Sequence, residues 1–249
     1  MNNNTSNTDV VCKLILVGNG SAGKTSLCTR FKDDGFRQVY RQTIGIDFYE
    51  RKLIVRNKRL LLQLWDIGGQ SLGSNMLPKY ITGTSAIFLC YDITDSNSFA
   101  DIQDWYQLIQ RCIKEIAQHE NNTAVINAPL TSPLIPTYLV GNKIDLIHLR
   151  KISEKDHELF ISRNRLNGGF YTSARSGENV LTAFYSAAAQ QLGMQLTPQE
   201  IEATKKILGV VIGVADDNAR TAFADEIEKA DIEAQAKRDQ SSRNCCILQ

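Results

Sequence analysis

No apolar run in the sequence approaches the roughly 18 residues that a membrane span requires; the longest, Ile207 to Ala215, is about half that. Net charge is nearly absent, with 28 Lys and Arg facing 27 Asp and Glu. That balance removes the electrostatic reason to expect nucleic acid or an acidic polymer as partner. Cysteine is sparse, and positions 12, 28, 90, 112, 245 and 246 form no C-x2-C pair. This usage fits a reducing compartment and leaves neither a disulfide framework nor a zinc site to expect. Met1 to Thr8 has neither the basic nor the apolar region of a secretory signal, and Asn2 stands where myristoylation needs glycine. The expectation is a disordered polar arm over residues 1–9 of a cytoplasmic protein whose 43% apolar composition suffices for a proper core.

What is present is an eight-residue stretch, Gly18-Asn19-Gly20-Ser21-Ala22-Gly23-Lys24-Thr25, with Ser26 next to it. Its G-x4-G-K-T spacing lets small residues turn the chain so that successive backbone N–H groups face one anion while a helix N-terminus adds partial positive charge. Lys24 would reach the β- and γ-phosphates, and the Thr25 hydroxyl would ligate Mg²⁺. A glycine-bearing turn with an exposed lysine is the bland alternative. The context favours the phosphate loop, because the β-branched run Val10 to Val17 precedes it and Lys24 to Phe31 follows without a helix breaker.

Along the chain, polar Lys32 to Thr43 is expected as an exposed loop, and Ile44 to Val55 with Leu60 to Trp65 as a hairpin across Arg56 to Arg59. Glycine-rich Asp66 to Asn75 is a second loop. Ala86 to Asp92, Thr137 to Val140 and Phe170 to Thr172 read as strands; Phe99 to Gln118, Glu154 to Arg163 and Val180 to Leu192 read as helices. Residues 119–136 hold three of the five prolines and read as a surface insertion. Alternating strands and helices imply an α/β fold with a mostly parallel sheet, whose ligands bind at the carboxyl ends of the strands. From Thr197-Pro198-Gln199-Glu200, a capping-box pattern, the chain turns rich in Ala, Glu, Asp, Lys and Gln. A partly helical solvated tail is expected there, with a partner-binding helix as the alternative.

Further short stretches fall at the ends of predicted strands. Asp66 can hold Mg²⁺ through water, Gly69 can bring a bare N–H to a γ-phosphate, and Gln70 follows. In Asn142-Lys143-Ile144-Asp145, the Asp145 carboxylate can accept from two guanine N–H donors that adenine lacks, while the Lys143 stem covers the ring face. Ala174, within Ser173-Ala174-Arg175, could offer its N–H to the guanine carbonyl. Thr43 lies in the first loop, where its hydroxyl and backbone N–H could meet Mg²⁺ and γ-phosphate together. Asp145 argues against a P-loop kinase or ATPase; a module that binds GTP with negligible hydrolysis and switches by exchange alone is the other alternative.

In order, these stretches resemble the five nucleotide motifs of Ras-superfamily small GTPases, over about residues 10 to 194. Thr43-Ile44-Gly45-Ile46-Asp47-Phe48 and Tyr91-Asp92-Ile93-Thr94 are similar to signatures of the Rab family. The resemblance implies the P-loop NTPase fold, a six-stranded mostly parallel sheet with helices on both faces, as a G domain over residues 10–195, followed by a hypervariable tail over 196–249. It also implies that the Phe36 ring packs on guanine, that Arg37 and Gln38 pass the ribose and that Tyr40 covers the phosphates. GTP would be hydrolysed to GDP and phosphate, with Lys24 neutralising charge, Gln70 orienting water, and Thr25, Thr43 and water-bridged Asp66 holding Mg²⁺. No arginine is obviously placed to act as a finger within the chain, so a GTPase-activating protein is expected, with an exchange factor and GTP-state effectors.

Where such domains usually read Asp-Thr-Ala-Gly-Gln-Glu, this chain has Asp66-Ile67-Gly68-Gly69-Gln70-Ser71 and then Leu72-Gly73. With Met76-Leu77-Pro78-Lys79-Tyr80-Ile81, it resembles the divergent twenty-eight subfamily of Rabs. Arg175 replaces the usual lysine of the last motif. Cys246-Ile247-Leu248-Gln249 fits C-a-a-X, whose terminal Gln favours farnesyl on Cys246, and Cys245 is a candidate second acylation site beside a thin basic flank. The expected protein is a monomer, peripheral on the cytosolic face of membranes and served by a prenyl-binding chaperone; an endosomal or ciliary-base address is analogy with the subfamily.

Overall fold

Six runs pair into one sheet, the central ones rich in leucine and β-branched residues. The computed structural model describes residues 10–33, 41–56, 58–71, 76–119 and 135–204, all within the first of two units, Met1–Lys205. The strands are β1 (Val10–Val17), β2 (Ile46–Val55), β3 (Lys58–Ile67), β4 (Ala86–Asp92), β5 (Thr137–Asn142) and β6 (Gly168–Thr172). They lie in the order β2-β3-β1-β4-β5-β6. Only β2 is antiparallel to its neighbour; the other pairs are parallel. The expected six-stranded, mostly parallel sheet is therefore the one found. Its order reverses at β1, so the loop after β1 opens at the switch point where such sheets form a crevice.

Helices α1 (Lys24–Asp33), α2 (Leu77–Ile81), α3 (Ser96–Ala100), α4 (Ile102–His119), α5 (Glu154–Asn164) and α6 (Val180–Gln191) connect and flank the strands, with a 3₁₀ turn at Gly69–Ser71, a kinked 3₁₀ segment at Ile144–Leu149 and a further helical segment over 198–204. Alternation sends Ile15 and Val17 of β1 to one face and Leu14 and Leu16 to the other. On the first face, Ile15 and Val17 join Ile87, Leu89 and Tyr91 in a cluster with Trp105, Tyr106 and Ile109 of α4. On the second, the Phe184 ring of α6 lies 4.4 Å from Phe31 and 5.2 Å from Phe88, centroid to centroid. Each such side chain contributes about 1.5–3 kcal/mol by leaving water. Both faces are covered, so the parallel strands can be apolar on both sides, as the buried β4 is from Ala86 to Tyr91.

Several boundaries depart from the sequence pattern: Lys58 and Arg59, expected in the hairpin turn, open β3, and Asp66 and Ile67, expected in the second loop, close it, because all four pair with β2 in the ladder. The helix expected over Phe99 to Gln118 starts earlier, at Ser96, where the Asp95 carboxylate accepts from Asn97 N–H at 3.0 Å, and it divides at Asp101. The short α2 follows Met76 where only a signature was noted. β2 begins at Ile46 rather than Ile44, whose side chain is 92% exposed. After α6, the capping box forms as expected: Thr197 N–H donates to Glu200 Oε2 at 2.7 Å and Glu200 N–H to Thr197 Oγ1 at 3.3 Å. Arg56, in the β2–β3 turn, adds a two-pronged bond to the same carboxylate at 2.7 and 2.8 Å and lowers the Glu200 pKa to about 2. The polar arm 1–9, insertion residues 120–134 and the tail from 205 onward lie outside the described residues.

Candidate active site

The strand β1 ends in a loop that glycine alone permits. Gly18 has φ +136°, and a Cβ there would lie 2.0 Å from the Cys90 carbonyl oxygen; one on Gly23, φ +89°, would lie 2.2 Å from Asn142 Nδ2. With Ser21 also left-handed at φ +64°, the loop has the curl that turns N–H groups toward a common anion. Lys24 opens α1, and its Nζ donates to Gly18 O at 2.7 Å and Asn19 O at 2.8 Å. Burial lowers the Lys24 pKa, opposed by the Asp66 carboxylate. Asn19, a variable position in the motif, is tied down by donating to Asp101 Oδ2 at 2.6 Å and accepting from Trp105 Nε1 at 3.0 Å.

Three oxygens meet beside Lys24. Thr25 Oγ1 donates to Asp66 Oδ2 at 2.5 Å, Thr43 Oγ1 donates to the same oxygen at 3.2 Å, and the two hydroxyls are 2.9 Å apart. The other carboxylate oxygen, Oδ1, is buried without a hydrogen-bond partner. Burial raises the Asp66 pKa, while the Thr25 hydrogen bond and the Lys24 charge oppose it. Hard oxygen donors with an unsatisfied carboxylate oxygen suit Mg²⁺ or a similar small cation. Gly68 and Gly69 complete this corner, because a Cβ on either would meet backbone: Thr43 O at 2.4 Å for Gly68, Gly20 N at 2.2 Å for Gly69.

At the other end, Asn142 stitches the loops together. Its Nδ2 donates to Ala22 O at 2.9 Å, and its Oδ1 accepts from Ala174 N–H at 3.1 Å. The Ala174 N–H expected to face a guanine carbonyl is thus already engaged and would be shared. Asp145 Oδ1 accepts from Ser173 Oγ at 2.6 Å, and Arg175 lies 4.0 Å from Oδ2. Arg30 of α1 donates to the carbonyls of Ala174 and Arg175 at 2.8 and 2.5 Å, holding that loop down.

These groups surround one cavity of about 1110 Å³, lined by Gly20, Ser21, Gly23, Lys24, Thr25, Ser26, Thr43, Gly69, Gln70, Asn142, Lys143, Asp145, Ala174 and Arg175 among the residues singled out in the sequence. Gly18, Asn19, Ala22, Asp66 and Ser173 stand behind that wall as its supports. Phe36, Arg37, Gln38, Tyr40, Cys245 and Cys246 lie outside the described residues. Sequence reasoning missed Arg41, Asp47 and Tyr49, which also line the cavity. It missed Arg30 as well, whose partners lie 144 and 145 positions away. For Arg41, the position two residues before Thr43 was the available signal.

A loop of this kind at the switch point of a parallel sheet, with a carboxylate beyond β5, defines a nucleotide-binding protein of the P-loop class. The model of the Ras family matches residues 13–192. The chain is 36% identical to Ras-related protein Rab-28 of Caenorhabditis elegans over 201 residues, 80% of this chain and 75% of that protein. It is 37% identical to Ras-related protein Rab-13 of Rattus norvegicus over 72% of this chain and 79% of that one. With Ras-related protein SEC4 of Candida albicans it shares 36% identity over 73% and 77%. The chain belongs to the Ras family, as a Rab-type small GTPase, and it hydrolyses GTP. Membership in this family disfavours both the ATPase alternative and the non-hydrolysing module.

Proposed function

We propose that the chain is a membrane-associated GTP/GDP switch of vesicle or endosomal traffic, working through the residues gathered around the cavity. The observation that carries the catalytic part is the convergence of Thr25, Thr43 and Asp66 within hydrogen-bond distance of one another beside Lys24, on the wall that also bears Gln70. In this reading Lys24 leaves its loop carbonyls for the β- and γ-phosphate oxygens, and the loop N–H groups take the remaining charge. Thr25 and Thr43 would hold Mg²⁺, with Asp66 supporting it through water, and the ion would supply charge neutralisation at the phosphates. Gln70 orients the attacking water. Thr43 and Gly69 sit on the two loops that the γ-phosphate would hold and hydrolysis would release.

Replacing Gln70 by Leu is expected to slow single-turnover hydrolysis on the order of 10- to 100-fold while leaving GTP affinity intact. An unchanged rate would take Gln70 out of catalysis. Unaided turnover should be slow, on the order of 10⁻⁴ to 10⁻² per second, which leaves a role for an activating protein. Attachment rests on Cys246: one farnesyl chain gives marginal, reversible binding, and acylation of Cys245 would strengthen it. Intact mass of the native protein should show the farnesyl group at Cys246; an unmodified terminus would end the membrane proposal.

A further inference from the structure

The signature Tyr91-Asp92-Ile93-Thr94 has no part in the site as built so far, yet its carboxylate reaches that site. Asp92 ends β4 opposite Asn142 of β5 and is 7% exposed. Its Oδ1 accepts from Thr94 N–H at 2.8 Å and from the Thr94 hydroxyl at 2.7 Å. Its Oδ2 lies 2.6 Å from Lys143 Nζ. Both oxygens are engaged, so the carboxylate is held from its own strand end and the lysine is held by the carboxylate. Lys143 has a left-handed backbone, φ 69° and ψ 37°, and lines the cavity between Asn142 and Asp145.

A lysine side chain with this much solvent access, 32%, would otherwise sample many rotamers, and packing its stem against a ligand would cost that freedom on binding. A tether that fixes the stem beforehand removes the cost. We propose that Asp92 is a positioning residue for nucleotide retention: by holding the Lys143 ammonium, it keeps the lysine's alkyl stem in place as one wall of the base end of the cavity. This rests on the assignment of Asn142 to Asp145 as the base-binding end. Two side chains there are then set by neighbours, Asp145 by Ser173 and Lys143 by Asp92. Asp145 chooses the base, whereas Asp92 sets how long any guanine nucleotide stays.

The test uses the full chain, with dissociation of a fluorescent GDP derivative and binding of inorganic tripolyphosphate, which has no base, as the two readouts. Asp92→Asn keeps the size of the side chain and an acceptor for Thr94, and is expected to speed GDP release about threefold to tenfold while tripolyphosphate affinity stays within about twofold. Lys143→Met keeps the stem and removes only the tethered charge, so it should speed release similarly, and the double variant should release GDP no faster than either single one. This second variant carries the test if Asp92→Asn fails to fold. Equal weakening of GDP and tripolyphosphate would mean general loosening and would overturn the proposal. So would wild-type release from Asp92→Asn or Lys143→Met when Lys143→Ala releases GDP faster. If Lys143→Ala itself released GDP at the wild-type rate, the base-end assignment would fall, and the proposal with it.

Discussion

Replacing Asp145 by asparagine is expected to turn the cavity from GTP toward xanthosine triphosphate. The Asp145 carboxylate is fixed from one side by the Ser173 hydroxyl at 2.6 Å, which aims its remaining lone pairs at the ligand. Guanine presents two N–H donors to such an acceptor pair. An asparagine amide offers one acceptor and one N–H₂, so one charge-assisted bond is lost and a donor is set against a donor. The first loss is about 1.5–3 kcal/mol and an unsatisfied group adds about 1–3 kcal/mol. GTP affinity should therefore fall about 10²- to 10⁴-fold. Xanthine has a carbonyl where guanine has its amino group, so it meets the amide with the correct polarity. Competition between the two triphosphates for the cavity reads the outcome directly, and a retained preference for GTP would remove Asp145 from base recognition.

Lys24→Met should separate binding from stability. Lys24 is 5% exposed, and its ammonium donates to the carbonyls of Gly18 and Asn19. Methionine keeps the stem but gives up charge-assisted bonds to two phosphates, so nucleotide affinity should drop about a hundredfold or more. Stability of the nucleotide-free protein should not drop with it. Burial lowers the Lys24 pKa from its ordinary 10.5, so the charged form is disfavoured in the folded state. The unfolded chain then binds the extra proton between the two pKa values, and wild-type stability must rise with pH through that window. Methionine removes both the penalty and the slope. Nucleotide-free thermal melts between neutral pH and the lysine range should show Lys24→Met at least as stable as the wild type at neutral pH, with a flatter profile. A large loss of stability in the variant would mean that the carbonyl bonds of Lys24 outweigh its desolvation.

The strands were legible because their information is local. β1, β4 and β5 are short apolar runs bounded by polar residues, and the polar stretch Arg56 to Arg59 marked the hairpin that is the antiparallel pair, although Lys58 and Arg59 already belong to β3. The loop positions around the cavity were legible for a related reason, since Gly18 to Thr25 and Asn142 to Asp145 place their residues by spacing along a few turns of chain. α3 was not legible at its start, because Ser96, Asn97 and Ser98 are weak helix formers whose helix depends on the Asp95 cap. α2 is five residues long with a proline near its start, too short for a period to emerge. Arg30, Asn19 and Asp92 were invisible as supports because each acts on a residue far away in sequence. A tether across the sheet leaves no trace in the spacing of either partner.

The two hydrogen bonds of Asn142 bear on when the protein becomes competent at all. One reaches back 120 positions to Ala22 and the other forward 32 to Ala174. Contacts this distant in sequence are slow to form during folding, and β5 and β6 must dock before Asn142 can brace the first loop. A nascent chain that has completed only β1 to β4 holds the phosphate motif but lacks the brace. Nucleotide capture is then a late event of folding, and nucleotide that binds only the finished domain adds to its stability by mass action. Newly made protein should owe much of its survival to the cellular supply of guanine nucleotide.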